Sequence, residues 1–308
     1  MFVVAGEALV DVVLPRDASP RRTPGGSPLN VAVGLARLGV ATLLLTEFGD
    51  DAAGDLVRRH LEGSGVRLAE GAVVPGRRTS TATARLDETG AASYDFDIEW
   101  TLREGTGLPE GATGLHVGSL GVALRPGRDA VLALVREAAA AGLPVTFDPN
   151  ARPSLTPDAD QAWADVLEVA AHCDVVKLSD EDLHFLRPGL SPDALAELLL
   201  GQGVRLVVVT LGGGGAAAYA PGAVCRVSSR PVPVVDTVGA GDSFMAALVA
   251  VVLEQGHDWL DHLDNDRLHG CLLAAHAAAA VTVSRPGADP PRRDELPAGW
   301  PLGPAELS

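Results

Sequence analysis

Lysine is almost absent from this 308-residue chain: of 24 basic residues only Lys177 is a lysine. A phosphate loop of the Gly-Lys-Ser/Thr kind is therefore excluded, and a Schiff-base chemistry would have to use Lys177. Cysteine is nearly as scarce. Cys173, Cys225 and Cys271 are far apart and form no Cys-x-x-Cys pair, which excludes a zinc knuckle and a disulfide framework. All three are expected to be small buried residues in a reducing compartment. Basic charge is in deficit, 24 against 40 acidic residues for a net −16 and a sequence pI near 4.8. Such a chain does not bind nucleic acid or anionic membrane nonspecifically. No apolar run reaches the roughly 20 residues of a membrane span, and Ala274–Val283 is interrupted by His276. The start, Met1-Phe2-Val3-Val4-Ala5-Gly6-Glu7, lacks the basic segment of a secretion signal. A soluble cytoplasmic protein is expected, with neither nucleic-acid nor membrane partners.

Hydrophobic residues make up 47% and charged residues 21%, a globular balance. Short runs rich in Val and Leu alternate with stretches of helical period. Phe2–Ala5, Val40–Leu45, Leu115–Val117, Pro144–Phe147, Asp174–Leu178 and Leu206–Thr210 read as buried strands. Leu29–Leu38, Ala52–Leu61, Arg128–Ala141, Gln161–Ala171 and Ser191–Leu200 read as helices, with Gly39, Gly142 and Gly201 placed to end three of them. The alternation predicts an α/β fold, a mainly parallel central sheet with helices on both faces. Ligands of such sheets sit beyond the carboxyl ends of the strands. Thr79–Leu86 and Ala91–Asp97 break the rhythm and read as a hairpin joined by Asp87-Glu88-Thr89-Gly90. Val10–Leu14 is a candidate third strand of that small sheet, which is either decoration or a lid. The Pro-rich stretch Pro286–Pro304 reads as irregular surface chain.

Chemistry concentrates in Asp236-Thr237-Val238-Gly239-Ala240-Gly241-Asp242-Ser243-Phe244, which follows the extended Val232–Val235 and opens a helix reaching Leu253. The Gly-Ala-Gly turn aims backbone N–H groups at the first helical turn, where the helix dipole adds positive charge. That makes an anion site without lysine, suited to a phosphoryl group. Asp242 would repel phosphate there unless it has a separate task. Accepting the proton of an attacking hydroxyl is that task; capping the helix is the plainer alternative. Asp11 at a strand end, Gly25 and Gly26, and Asn30 at a helix start supply short polar groups and close backbone approach, the parts of a polar ligand pocket. Read singly, Asp11 is equally a solvated strand end and Asn30 a cap.

Asp236–Phe244 resembles the C-terminal motif of the PfkB, or ribokinase-like, family of carbohydrate kinases. A second motif of that family is matched by Gly25-Gly26-Ser27-Pro28-Leu29-Asn30-Val31-Ala32 followed by Gly34-Leu35-Ala36-Arg37-Leu38-Gly39. The likeness extends from Gly6-Glu7 to Arg285-Pro286-Gly287-Ala288. Gly6–Asp11, Asp148–Leu155 and Val176–Asp182 are most similar to the fructokinase branch. The resemblance implies one ribokinase-like domain over residues 1–308, with a β lid formed roughly by 10–24 and 77–101. It implies ATP and Mg²⁺ as cofactors, Asp242 as base, and the amides of Gly239, Ala240 and Gly241 as phosphoryl holders. Asp11, Gly25, Gly26, Asn30 and Arg152 would then face the sugar. Ser179, Thr210, Gly212, Gly213, Gly215, Gly241 and His276 would face ATP.

Two positions depart from the family pattern. Its Asn-x-x-Glu is Ser179 and Asp182 here, so Asp182 is expected to order water around Mg²⁺ with a shorter reach. His276 stands where an Asn near adenine is common. Many relatives also bind K⁺ with backbone carbonyls around the positions of Asp236 and Val238 and a loop near Thr282–Gly287. The expected activity is transfer of the ATP γ-phosphate to a primary hydroxyl of a small sugar, fructose first. A 2-keto-3-deoxygluconate kinase using Arg152 or Arg103, a ribokinase-type activity, and a catalytically silent sugar-binding relative are the alternatives. A nucleoside fits poorly with 4% aromatics. A homodimer through the lid, using apolar positions among Val12, Tyr94 and Phe96, is the expected assembly.

Overall fold

The structure, a computed structural model, describes residues 1–14, 19–86, 92–103 and 105–301. Among them a nine-stranded sheet runs, edge to edge, Ala223–Val227, Ala216–Ala220, Leu206–Thr210, Val175–Ser179, Val145–Asp148, Leu115–Gly118, Phe2–Ala5, Thr42–Leu45 and Arg67–Leu68. From Leu206–Thr210 onward all neighbours are parallel. The first two strands are antiparallel additions at one edge. The parallel strands are apolar along their length because both faces are covered. Phe2 and Val4 point into one layer and Val3 and Ala5 into the other. The first layer holds the helices Ser27–Arg37, Ala240–Gln255 and Asn265–Val283, and the second holds Gly127–Ala140, Ala159–Ala170 and Pro192–Gly201. The fold is the expected α/β class, a mainly parallel sheet covered by helices on both faces.

Helix Ala240–Gln255 is apolar all round and buried from Asp242 to Val252, as a central covering helix must be. Truncating its fully buried Leu248 to alanine would cost about 2–5 kcal/mol. It packs on Ser27–Arg37 with little room: a Cβ on Gly34 would come within 2.7 Å of Ala246 Cβ. This close approach matters for the site, because Asn30 and Asp242 lie one helical turn before Gly34 and Ala246.

The hairpin is formed by Thr81–Leu86 and Ala92–Asp97, paired antiparallel; its expected turn, Asp87–Gly90, lies outside the described residues. Leu9–Leu14 joins it, parallel to Thr81–Leu86, and Arg21–Gly25 completes a four-stranded sheet. Leu9–Leu14 is a strand of its own, separated from Phe2–Ala5 by Gly6–Ala8.

Several expectations need correction. Gly201 is the last residue of its helix and does not take the left-handed conformation; Gly203, two positions on, does so with φ 102°. Gly39 and Gly142 do adopt positive φ, 92° and 69°. Cys173 and Cys271 are buried, but Cys225 is only half-buried; none of the three is in a disulfide. Among the described residues no helix is long and apolar enough to cross a membrane.

Candidate active site

Gly239 precedes the helix Ala240–Gln255 in the left-handed conformation, φ 76°. Any other residue would be strained there, and its Cβ would lie 2.5 Å from Ala288 Cβ. The turn sets the N–H groups of Gly239 and Gly241 at the helix start, while that of Ala240 donates to the Thr237 carbonyl at 3.2 Å. Asp242 follows in that turn, 8% exposed. Its Oδ1 accepts from Ser27 Oγ at 2.6 Å and its Oδ2 from Asn30 Nδ2 at 2.8 Å. Asn30 Oδ1 is buried with no partner, an acceptor left open beside that carboxylate.

Ser27 and Asn30 share a face because they are three apart on one helix. Gly25, just before it, is closely apposed to Asp11: a Cβ there would collide with the Asp11 carboxylate. Burial pushes the Asp11 carboxyl up to about 6; the Arg152 guanidinium opposes this and the Asp242 charge adds to it. Gly26 has φ 104° and its missing Cβ faces the Glu7 carbonyl. Arg152 is exposed and curls onto its own loop, donating from Nη1 to Asn150 Oδ1 at 2.7 Å and to the Ala151 carbonyl at 3.0 Å. Arg152 and Asp242 thus both come within electrostatic reach of Asp11. Arg103 does not join them: its guanidinium packs over Gly71 and donates to the Glu70 carbonyl.

The parallel strands share one carboxyl-end rim. Ser179 and Thr210 are register partners on neighbouring strands there. Ser179 caps the helix Asp180–Leu186 in a reciprocal box with Asp182. Asp182 Oδ2 accepts from Ser179 N and Oγ at 2.9 and 2.7 Å, and Oδ1 accepts from Ala151 N at 2.8 Å. Both its oxygens are therefore engaged within the chain. Beyond Thr210 the glycine loop makes a tight turn. Gly212 and Gly213 are open, whereas Gly215 is closed over by the backbone at Val227–Ser229. His276 is half-buried, edge-on to Phe244 with ring centroids 5.4 Å apart, and its Nδ1 has no partner. Burial pulls the His276 pKa down, which disfavours the charged ring.

Asp236 joins the two segments expected around a cation. Its Oδ1 accepts from Val238 N at 3.0 Å and its Oδ2 from Gly287 N at 2.8 Å. Among the described residues no three His, Cys, Asp or Glu side chains assemble as a metal cluster. A Mg²⁺ ion fits this donor set only in the manner usual for that ion, held by phosphate oxygens and waters with a carboxylate such as Asp182 behind them.

Three residues of the site escaped the sequence argument. Ser27 lies inside the quoted motif, and its i, i+3 spacing from Asn30 was the available signal. Asp148 and Lys177 are the other two. The turn itself carries no lysine, but the chain's one lysine reaches its underside from a neighbouring strand: Lys177 Nζ would be 3.2 Å from a Cβ on Gly241. It is 4% exposed and paired with Asp148 Oδ2 at 2.6 Å. The signal was the chain's single lysine itself.

Residues 1–295 match the profile of the pfkB family carbohydrate kinases. A fructokinase of Vibrio alginolyticus is 33% identical over 290 residues, covering 92% of this chain and 93% of that protein. The crystal structure of a fructokinase with bound ATP from Xylella fastidiosa superposes with a TM-score of 0.83 at 28% identity, covering 96% of this chain and 94% of that one. A double mutant of the Vibrio cholerae fructokinase, in its fructose, ADP and potassium ion bound form, superposes at 0.78 with 30% identity, covering 94% of each chain.

Proposed function

The chain belongs to the pfkB family of carbohydrate kinases, and we propose that it transfers the γ-phosphate of ATP to a primary hydroxyl of fructose. The observation that carries this is the double hydrogen bond from Ser27 and Asn30 to Asp242. It sets the carboxylate between the helix that would meet a sugar and the helix turn that would hold a phosphate. Asp242 removes the hydroxyl proton as the oxygen attacks the γ-phosphorus in line, and ADP leaves with the electron pair of the broken P–O bond. The N–H groups of Gly239, Ala240 and Gly241 stabilise charge on the phosphoryl oxygens. Mg²⁺ bound with ATP would neutralise phosphate charge, and Asp182, hydrogen-bonded at both oxygens, would order its waters through the remaining lone pairs. Asp11 and the free Asn30 Oδ1 take sugar hydroxyls, with Gly25, Gly26 and Arg152 bounding the pocket. Ser179, Thr210, Gly212, Gly213 and His276 lie on the nucleotide side. Gly215 supports that loop by its turn. The carbonyls at Asp236 and Val238 are the proposed potassium ligands.

The chain acts as one ribokinase-like unit, and the small sheet closes over the sugar to keep water from the phosphoryl group. A homodimer through that sheet is part of the proposal. Val12 is already buried within one chain, and the Tyr94 side chain lies outside the described residues, so Phe96 is left as the described candidate contact. Light scattering decides the assembly. A cytoplasmic location agrees with three cysteines outside any disulfide.

ADP release measured over fructose, ribose, 2-keto-3-deoxygluconate, tagatose and adenosine, each with and without K⁺, tests the proposal. The highest kcat/KM is expected with fructose. Preference for the keto acid would instead make Arg152 a carboxylate ligand, and equal, slow release with every acceptor would overturn fructose and place the substrate outside this panel.

A further inference from the structure

The Lys177–Asp148 pair has no evident structural purpose. It is buried at the carboxyl ends of Val145–Asp148 and Val175–Ser179, on the sheet face covered by helix Ala240–Gln255. A buried ion pair in such a place is often no more stabilising than two apolar residues of the same volume. The chain moreover uses arginine at every other basic position. What distinguishes this position is its neighbour. The ammonium abuts Gly241, in the first turn of a helix whose N-terminus is already positive. The Asp148, Asp182 and Asp242 carboxylates offset that charge within the chain, and an anion bound at the helix start would meet both the ammonium and the dipole.

We propose that Lys177 is a positioning residue for the transferred phosphoryl group, its ammonium adding fixed positive charge behind the Gly239–Gly241 amides while Asp148 anchors it. The inference rests on the kinase function proposed above. An ammonium has three N–H donors, and among the described residues one hydrogen bond uses them, to Asp148 Oδ2. Asp148 is held in turn, its Oδ1 accepting from Asn150 N at 3.2 Å. The charge persists despite burial, because the Asp148, Asp182 and Asp242 carboxylates raise the Lys177 pKa. The neighbouring His116 is kept neutral, its pKa brought down to about 3 by burial and by the Lys177 charge. Lysine suits the gap under Gly241 because an ammonium is compact, whereas a planar guanidinium fork needs more width.

Lys177→Met, Asp148→Asn and the double variant test this. Lys177→Met alone leaves a buried carboxylate unpaired, so its Tm falls; the double variant, with both charges gone, recovers Tm. The proposal expects kcat to stay depressed by about 100-fold in that refolded double variant. Calorimetry should show ATP affinity falling about tenfold more than ADP affinity, since the lost charge lies by the terminal phosphate. Recovery of kcat together with Tm would make Lys177 only a counter-ion for Asp148 and overturn the proposal. So would equal weakening of ATP and ADP. Nucleotide binding needs no turnover. Wild-type protein inert toward every sugar would therefore defeat the kinase function and still leave the affinity difference to judge Lys177.

Discussion

Ser27 Oγ donates to Asp242 Oδ1 across 215 positions of the chain at 2.6 Å. Together with Asn30 it fixes the carboxylate plane, leaving each oxygen a second lone pair for an incoming hydroxyl. Ser27→Ala should lower kcat about tenfold, the loss expected for one hydrogen bond to a charged group. ATP affinity, read by calorimetry, should not change. An unaltered kcat would mean that Asn30 alone orients Asp242.

Asp242→Asn should keep the fold and nucleotide binding while turnover falls by ~10³-fold or more, in the range for loss of a general base. Coupled ADP release measures it. Near-wild-type turnover would assign proton removal elsewhere.

Gly34→Ala touches no proposed ligand. Its Cβ would meet Ala246 Cβ at 2.7 Å, which forces apart two helices whose preceding turns carry Asn30 and Asp242. A stability loss of about 1–3 kcal/mol is expected from overpacking, read as a lower denaturant midpoint. Reduced kcat should accompany it at temperatures where the variant is fully folded. A variant with lowered stability and normal kcat would show that the helix spacing tolerates the shift.

Glu7 is buried with its Oε2 accepting from Gly121 N at 2.8 Å, and burial pushes its carboxyl up to about 7 from 4.5. The native state keeps this proton where the unfolded chain has lost it, so the associated stability is full below pH 4.5 and lost as pH rises through 7. Glu7→Gln keeps an oxygen acceptor and removes the penalty. It should raise stability by up to about 3 kcal/mol at pH 8 and change it little at pH 4.5. Equal Tm differences at the two pH values would contradict this.

Asp11, lifted to about 6 by burial, should bind sugar hydroxyls as a carboxylate. Sugar KM should then rise as pH falls below 6, with ATP KM steady. Asp11→Asn should raise sugar KM at neutral pH and flatten that acid limb. An acid limb of unchanged slope in the variant would assign the titration to another group.

The sequence disclosed elements whose signal is local. Strands such as Leu206–Thr210 are short apolar runs because both faces are covered, and the glycine turn before Asp242 announces its own geometry. Ala216–Ala220, an all-buried run of Ala and Tyr, has neither alternation nor β-branching and gives no strand signal of its own. Ser179 and Asp182 read as a departure from a metal motif, although Ser-x-x-Asp is also a helix-capping spacing, and the hydrogen bonds follow that second pattern. The pairing of Lys177 with Asp148 depends on which sheet face each side chain takes. That is a matter of strand register, which no motif carries.

The burial of Lys177 leaves the folded surface without a single ε-amine. Reagents that acylate or crosslink lysine will find no target on the closed protein. Labelling at this one position would therefore clock how often the floor of the cleft parts from the helix above it.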